Sequence, residues 1–495
     1  MPTISYAQRL SDLAAAAPDR PSVTCGELSL TRSELDAAAV RLGKDLRAHG
    51  VGLGDLVTIV LPNGLEWFVA FAACWKIGAT PQPASPRLPA PELQALVELA
   101  DPKAVIGVEP GTFDDRWCVP AGHVPPPDDG EPLPDVQSPS WKAPTSGGST
   151  GKPKLIVSGD PSVLDTDASP PLLLSTDGCL VMPGPLYHNG PLMWSCYAVL
   201  WGSRAVLLPR FDAEQTLAAI DRYRADVVYL VPTMMKRIWA LPTEVRESYD
   251  VSSLRAVWHL AEPCPPWLKD AWIGWLGPDR IWELYAGTEA QAGTVITGRE
   301  WLAHRGSVGR PVDGTVSVRA DDGTVLGPDE LGEIWLRSPR PDPTYRYVGA
   351  QARRTDDGWE SLGDMGWLDA DGYLYLGDRS ADMILSGGAN IYPAEVEAAL
   401  LEHPAVRSAA VIGLPDDERG NSVHAIVESS PGEVAAGDLL RFVAERLVIY
   451  KVPRTVEYVD HPLRDDAGKV RRSALRQARL QSGRSASGVS DATVG

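Results

Sequence analysis

The chain has 495 residues, enough for about three folding units at roughly 150 residues each. Its 46 basic and 65 acidic residues leave a formal charge of −19, which argues against the basic stripe that nucleic acid or an anionic membrane surface requires. With 44% apolar and 22% charged residues, it has the composition of an ordinary globular protein. No apolar run nears the ~18 residues of a membrane span. The longest candidate, Phe68 to Trp75, stops at Lys76. Met1 to Leu10 has no basic segment followed by an apolar one, so secretion is not expected. Cys25, Cys74, Cys118, Cys179, Cys196 and Cys264 form no C-x-x-C pair. That spacing fits neither a zinc site nor a disulfide framework, and a cytoplasmic protein is expected.

Thr31, Ser33 and Glu34 form a capping-box pattern that predicts a helix running to the stop at Gly50. Leu56 to Leu61 is a short apolar run suited to a buried parallel strand. Pro62, Asn63 and Gly64 then turn the chain into an apolar helix through Trp67 to Lys76. A helix over Pro91 to Ala100 and a strand over Ala104 to Gly107 complete a β-α-β-α rhythm, which predicts a doubly wound parallel sheet. Prolines at 120, 125 to 127, 132, 134 and 139 mark a surface connection. Strands are expected again at Val227 to Val231, Arg255 to Leu260 and Ile281 to Tyr285. After Gly306, the turn signals at 321–323 and 369–372 predict short strands of a β-rich subdomain. From Pro393 the pattern is helix, strand, strand, helix, strand, enough for a separate small α+β domain. Residues 481–495, rich in Ser, Gly and Ala, are expected to be a disordered tail.

The segment Thr145 to Lys154 carries glycines that let backbone N–H groups turn toward a ligand, with hydroxyls and lysines beside them. Those are the requirements of a phosphate cradle, although a flexible linker has the same composition. It is not a Walker A loop, because Ser146 and Pro153 stand where Gly and Ser or Thr are needed. Tyr285-Ala286-Gly287-Thr288-Glu289 follows an apolar strand, where open α/β sheets bind ligands. Further on come Trp359 to Asp364, Gly377-Asp378-Arg379, Ser386 to Pro393, and Gly468 to Arg472. Taken singly, Asp364 also reads as a turn residue and Glu289 and Arg379 as solvated charges. Tyr285 alone reads equally as a core aromatic, and Lys469 as an exposed lysine.

In this order, from about residue 25 to about 478, the segments resemble those of the adenylate-forming superfamily of acyl-CoA synthetases, peptide-synthetase adenylation domains and luciferases. The resemblance implies an α/β fold with doubly wound sheets and a β-rich subdomain, divided into an adenylation core (1–380) and a small mobile α+β domain (381–480). It implies that a carboxylate is joined to ATP with Mg²⁺, releasing pyrophosphate, and that the acyl group then passes to CoA. The acceptor could instead be a carrier protein or a partner enzyme, and a homodimer is open.

The residue roles follow from the same resemblance. Ser149, Thr150, Gly151 and Lys154 would cradle the triphosphate, Thr288 would contact phosphate, and Glu289 would hold Mg²⁺. Tyr285 would face adenine, and Asp364 would accept both ribose hydroxyls with Arg379 assisting. His188 would gate the acyl-phosphate, and Lys469 would neutralise charge at the α-phosphoryl. Gly387 and Gly388 would line a thiol tunnel. The hinge position, usually Asp or Lys, is Ala381. Gly147, Ala286 and Leu362 are milder departures from the family pattern.

The stretch Pro185 to Ser195 contains no acidic residue to meet an amino group, so an amino-acid substrate is not expected. Trp194, Tyr229, Met234, Trp258 and Trp282 fall in or near the segments that line the acyl pocket in such enzymes. Flat aromatics and pliable Met suit a bulky ring-bearing acid. The stretches LPNGLEWF, SPRLPAPEL and SGGSTGKPKLI look most like those of ligases for bile acids and comparable acids.

Overall fold

Thr31 Oγ1 accepts from the Glu34 N–H at 3.2 Å while the Glu34 carboxylate accepts from the Thr31 N–H at 2.8 Å. The capping box therefore forms as read, and helix Arg32–Ala48 starts on it. The computed structural model describes residues 3–147, 153–379, 382–386, 389–416, 420–430, 433–465 and 468–486. The elements expected next also form: strand Leu56–Ile59, helix Leu65–Lys76, helix Ala90–Ala100 and strand Ala104–Ile106. Helix Leu65–Lys76 is apolar nearly all round because it is buried nearly all round, with Trp67, Phe68, Phe71 and Trp75 at 2% exposure or less.

Two larger sheets dominate the large domain, beside a three-stranded sheet of Tyr345–Val348, Pro153–Ser158 and Thr145–Gly147 and a two-stranded one of Thr3–Ser5 and Val163–Asp165. In the first, strands Thr80–Pro83, Leu56–Ile59, Ala104–Ile106 and Trp117–Val119 are all parallel. The second has 14 strands. Its centre is parallel, running Ile281–Ala286, Ala256–His259, Val227–Leu230, Cys179–Met182, Arg204–Leu207, Pro21–Cys25. Beyond Ile281–Ala286 the pairing becomes antiparallel through Gly293–Thr297, Ser307–Asp313, Leu374–Arg379, Glu360–Leu368, Gly332–Arg337 and Thr315–Arg319. The β-rich part read after Gly306 is thus continuous with the parallel sheet. The change of direction occurs at the strand that ends in the Tyr285 motif.

The proline-rich connection over 120–139 contains no helix or strand. Its polar groups are tied to the large domain: His123 Nε2 lies 2.7 Å from Asp45 Oδ2, and Lys44 pairs with Asp128 and Asp129. No helix among the described residues is long and apolar enough to cross a membrane.

Helix Pro393–Leu401, strands Ser408–Asp416 and Gly420–Glu428, helix Ala436–Ala444 and strand Thr455–Val459 follow in the expected order. They enclose a core of their own, including Ile384, Val396, Leu400, Val411, Val427 and Leu439. Helix Arg472–Ala486 then runs six residues into the stretch expected as a tail, while 487–495 lie outside the described residues.

Candidate active site

Strands Thr145–Gly147 and Pro153–Ser158 pair antiparallel, with Ser146 opposite Lys154. Ser149, Thr150 and Gly151 lie outside the described residues. Lys154 is described. Its Nζ lies 3.5 Å from Glu289 Oε1 and 3.9 Å from the centre of the Tyr347 ring. Tyr347 donates its hydroxyl to the same Glu289 oxygen at 2.5 Å, and Thr344 Oγ1 donates to the Glu289 carbonyl at 2.6 Å. Glu289 is 5% exposed. Burial and the Glu289 charge together push the Tyr347 hydroxyl well above its ordinary pKa, so it remains a donor.

The strand that ends in Ala286 delivers Tyr285, whose hydroxyl donates to Asp364 Oδ2 at 2.8 Å. Asp364 lies on Glu360–Leu368 and is the direct cross-strand partner of Arg379 on Leu374–Arg379. The register therefore puts both expected ribose residues side by side, although the Arg379 side chain lies outside the described part. Leu362, a departure from the family pattern, fills space over Gly287: a Cβ there would fall 2.4 Å from Leu362 Cδ1 and 2.9 Å from Glu289 Oε2. Thr288 is half-buried between them.

His188 is the N-cap of helix Asn189–Leu200, half-buried, with its ring 4.6 Å from that of Tyr187. The residues expected around an acyl pocket come together. Trp194 is 5.2 Å from Tyr229 and 5.7 Å from Trp258, and Trp258 is 5.5 Å from Trp282. Tyr229 also abuts Gly190, where a Cβ would fall 2.3 Å from the phenolic oxygen. Met234 is buried on the adjoining helix Pro232–Trp239.

Lys469 is exposed on the small domain, its N–H held by Asp465 Oδ1 at 2.9 Å. The preceding Gly468 has φ +78° and packs onto Glu262 of the large domain; a Cβ would fall 1.1 Å from Glu262 Oε1. Ala381, Gly387 and Gly388 lie outside the described residues.

Four residues of this neighbourhood carry no motif by which a sequence reading finds them. Tyr347 was one of 14 tyrosines, without a motif. Glu262 accepts from Thr233 at 2.8 Å and 3.2 Å through one carboxylate oxygen, while the other is buried without a partner among the described residues. Burial, against the pull of Arg464, raises its pKa to about 7. Lys142 is 5% exposed, donates to Asn189 Oδ1 beside His188, and is lowered to about 7 by burial. Lys236 is the fourth. A signal existed only for Glu262, in the loop that follows a parallel strand's C-terminal end.

The donor set suits a nucleotide-borne magnesium ion. Among the described residues no three His, Cys, Asp or Glu side chains converge as a protein cage. A single carboxylate, Glu289, stands beside Lys154, and Mg²⁺ commonly takes one or two carboxylates plus substrate phosphates.

Comparison with known proteins shows the family of the chain. Feruloyl-CoA synthase of an Amycolatopsis species is 33% identical over 488 residues, covering 94% of this chain and 97% of that protein. The structure of o-succinylbenzoate CoA synthetase from Bacillus subtilis, in complex with the acyl-adenylate intermediate, is 26% identical with a TM-score of 0.80, covering 96% of this chain and 99% of that one. The same enzyme has been solved with ATP and a magnesium ion. The amide bond synthetase McbA from Marinactinospora thermotolerans is 27% identical with a TM-score of 0.75, again covering 96% and 99%. Residues 10–345 match the AMP-binding enzyme family and residues 395–469 match the AMP-binding enzyme C-terminal domain. The chain therefore belongs to the AMP-binding enzymes, with both parts of that family's architecture present.

Proposed function

We propose that this enzyme is an ATP- and Mg²⁺-dependent carboxylic acid–CoA ligase acting on a bulky, ring-bearing acid. The observation that carries the reading is the meeting of Lys154 and Tyr347, both on a three-stranded sheet, with Glu289, which follows the strand of the 14-stranded sheet that carries Tyr285 to its partner Asp364. Lys154, with Ser149, Thr150 and Gly151, would hold the triphosphate. Tyr285 would present its ring to adenine while its hydroxyl orients Asp364 toward the ribose, with Arg379 alongside and Thr288 at the phosphate. Glu289 would hold the magnesium ion, which spreads the charge of the phosphate oxygens during transfer. The acid's carboxylate would attack the α-phosphorus beside His188, and pyrophosphate would leave. Lys469 would supply positive charge where negative charge builds up. The acyl-AMP would then react with CoA arriving past Gly387 and Gly388, with AMP leaving.

The separate core of the small domain supports a division near residue 380, with Ala381 as hinge. The Trp194–Tyr229–Trp258–Trp282 cluster supports a ring-bearing acid, since flat rigid aromatics complement flat or alicyclic ligands at low entropic cost. The feruloyl and succinylbenzoate relatives, both named for ring-bearing acids, support it further.

A second reading, in which a carrier protein or partner enzyme takes the acyl-AMP, is favoured by Ala381 and by the likeness to an amide bond synthetase, whose product is not a thioester. Mass spectrometry of reactions with ATP, Mg²⁺ and a panel of ring-bearing acids, with and without CoA, tests both. Acyl-AMP that converts to acyl-CoA supports the ligase. Acyl-AMP that accumulates despite CoA supports the second reading, and no adenylate from any acid overturns both.

A further inference from the structure

Lys236 points its charge out of its own domain. It lies on helix Pro232–Trp239 of the large domain, and its Nζ donates to two backbone carbonyls of the small domain, Val406 at 2.7 Å and Leu401 at 3.1 Å. Leu401 is the last residue of helix Pro393–Leu401, so its carbonyl is one of the four that the helix leaves unbonded. A cation at that end also meets the negative pole of the helix dipole. Both acceptors are main-chain atoms, so the contact depends on where the small domain sits and on no side chain there.

One helical turn away on the same helix, Thr233 holds Glu262 through its N–H and hydroxyl. Glu262 in turn is the surface on which Gly468 rests, with no room for even a methyl group. A single helix of the large domain therefore meets the small domain at two points: the end of its first helix, and the turn that carries Lys469. The ion pair between the domains from Arg471 to Glu92, at 3.7 Å, is exposed on both sides and contributes little orientation. At neutral pH Lys236 keeps its charge, burial lowering it only to about 8.

We propose that Lys236 is a positioning residue for acyl-AMP formation: by clamping the Leu401 and Val406 carbonyls it seats the small domain on the Thr233–Glu262 platform and so holds Lys469 over the nucleotide site. This rests on the reading of Lys469 as the lysine of the first half-reaction. A lysine that merely stabilised the fold would affect both half-reactions through loss of folded enzyme. A clamp specific to this placement affects only the step that needs Lys469 in position.

The test compares Lys236→Met and Lys236→Arg with the unmodified enzyme and with Lys469→Ala, using the panel acid that gives the fastest pyrophosphate release. Lys236→Met is expected to slow pyrophosphate release about tenfold or more in kcat, with KM for ATP and acid within about twofold. Thioester formation from supplied acyl-AMP and CoA should stay within about twofold, the melting temperature should hold, and Lys236→Arg should recover most of the loss. Hydrogen exchange with ATP alone, which needs no acid, should show faster exchange at 260–264 and 468–469 in Lys236→Met. Unchanged pyrophosphate release and exchange would overturn the proposal, as would an equal fall in both half-reactions. If Lys469→Ala is inactive while Lys236→Met is not impaired, only this inference fails. If Lys469→Ala keeps full pyrophosphate release, the reading of Lys469 falls and the clamp falls with it.

Discussion

Lys154 and Glu289, 135 residues apart in the chain, approach to 3.5 Å. The strand Pro153–Ser158 brings the cation and the segment after Tyr285 brings the carboxylate, so neither supplies both charges by itself. Their contact creates a site with both charges fixed, and Tyr347 holds the carboxylate from a third segment. Fixed charges need little reorganisation when phosphate charge moves, which is the economy of a preorganised site.

Glu289→Gln keeps the shape of the side chain and removes its charge. Pyrophosphate release should fall by about 10²-fold or more, and the Mg²⁺ concentration for half-maximal rate should rise. The Tyr347 and Lys154 contacts allow an amide oxygen in place of the carboxylate, so the melting temperature should change little. A rate loss that high Mg²⁺ fully reverses would assign Glu289 to metal affinity alone.

Tyr285→Phe removes one hydrogen bond, to Asp364 at 2.8 Å, and keeps the ring. A bond to a charged acceptor is worth about 1.5–3 kcal/mol, so KM for ATP should rise roughly 10- to 10²-fold, with kcat less affected. Asp364→Ala should cost more, because the ribose hydroxyls lose their acceptor as well. Steady-state kinetics in ATP separates the two variants.

Gly468→Ala should disable pyrophosphate release while leaving each domain folded. The position has φ +78°, and the added methyl group would overlap Glu262. Combining it with Glu262→Ala should recover part of the rate by opening the space, but not all of it, since the left-handed backbone still disfavours alanine. Full recovery would mean that backbone conformation at 468 is immaterial.

Lys142 predicts a pH dependence of stability. Its amine is buried and lowered to about 7 in the folded state, against an ordinary lysine value of 10.5 when unfolded. Between those values the unfolded chain holds a proton that the folded chain does not, so this group makes stability rise with pH. Below about pH 7 both states are protonated, and the fold bears the full cost of the buried charge. Lys142→Met should therefore raise the unfolding free energy, read from urea titrations, most at pH 6 to 7, by on the order of 1–3 kcal/mol after the lost Asn189 bond, with the advantage shrinking toward pH 10. A constant difference across that range would place the cause elsewhere.

What the sequence determined by itself was local. The capping box at Thr31, the buried strands, the helix through Trp67 and the order of elements after Pro393 are each specified by residues within a few positions of one another, and each formed where it was read. The segments carrying Tyr285, Glu289, Asp364 and Lys469 were read from their order along the chain and the resemblance it carries, since taken singly each reads equally as a structural residue. Tertiary structure decided what depends on distant segments meeting. It made the antiparallel strands of 293–379 an extension of the parallel sheet, because open strand edges pair wherever register allows. It packed Trp67, Trp75, Trp194, Trp258, Trp272 and Trp301 into one buried core, with Trp194 against Trp258 and the half-buried Trp282 against Trp258, contacts set by neighbours rather than residue type. It also supplied Tyr347, Lys142, Glu262 and Lys236, which have no motif. A titratable side chain gains its function from burial and opposing charge, and both are properties of the folded chain.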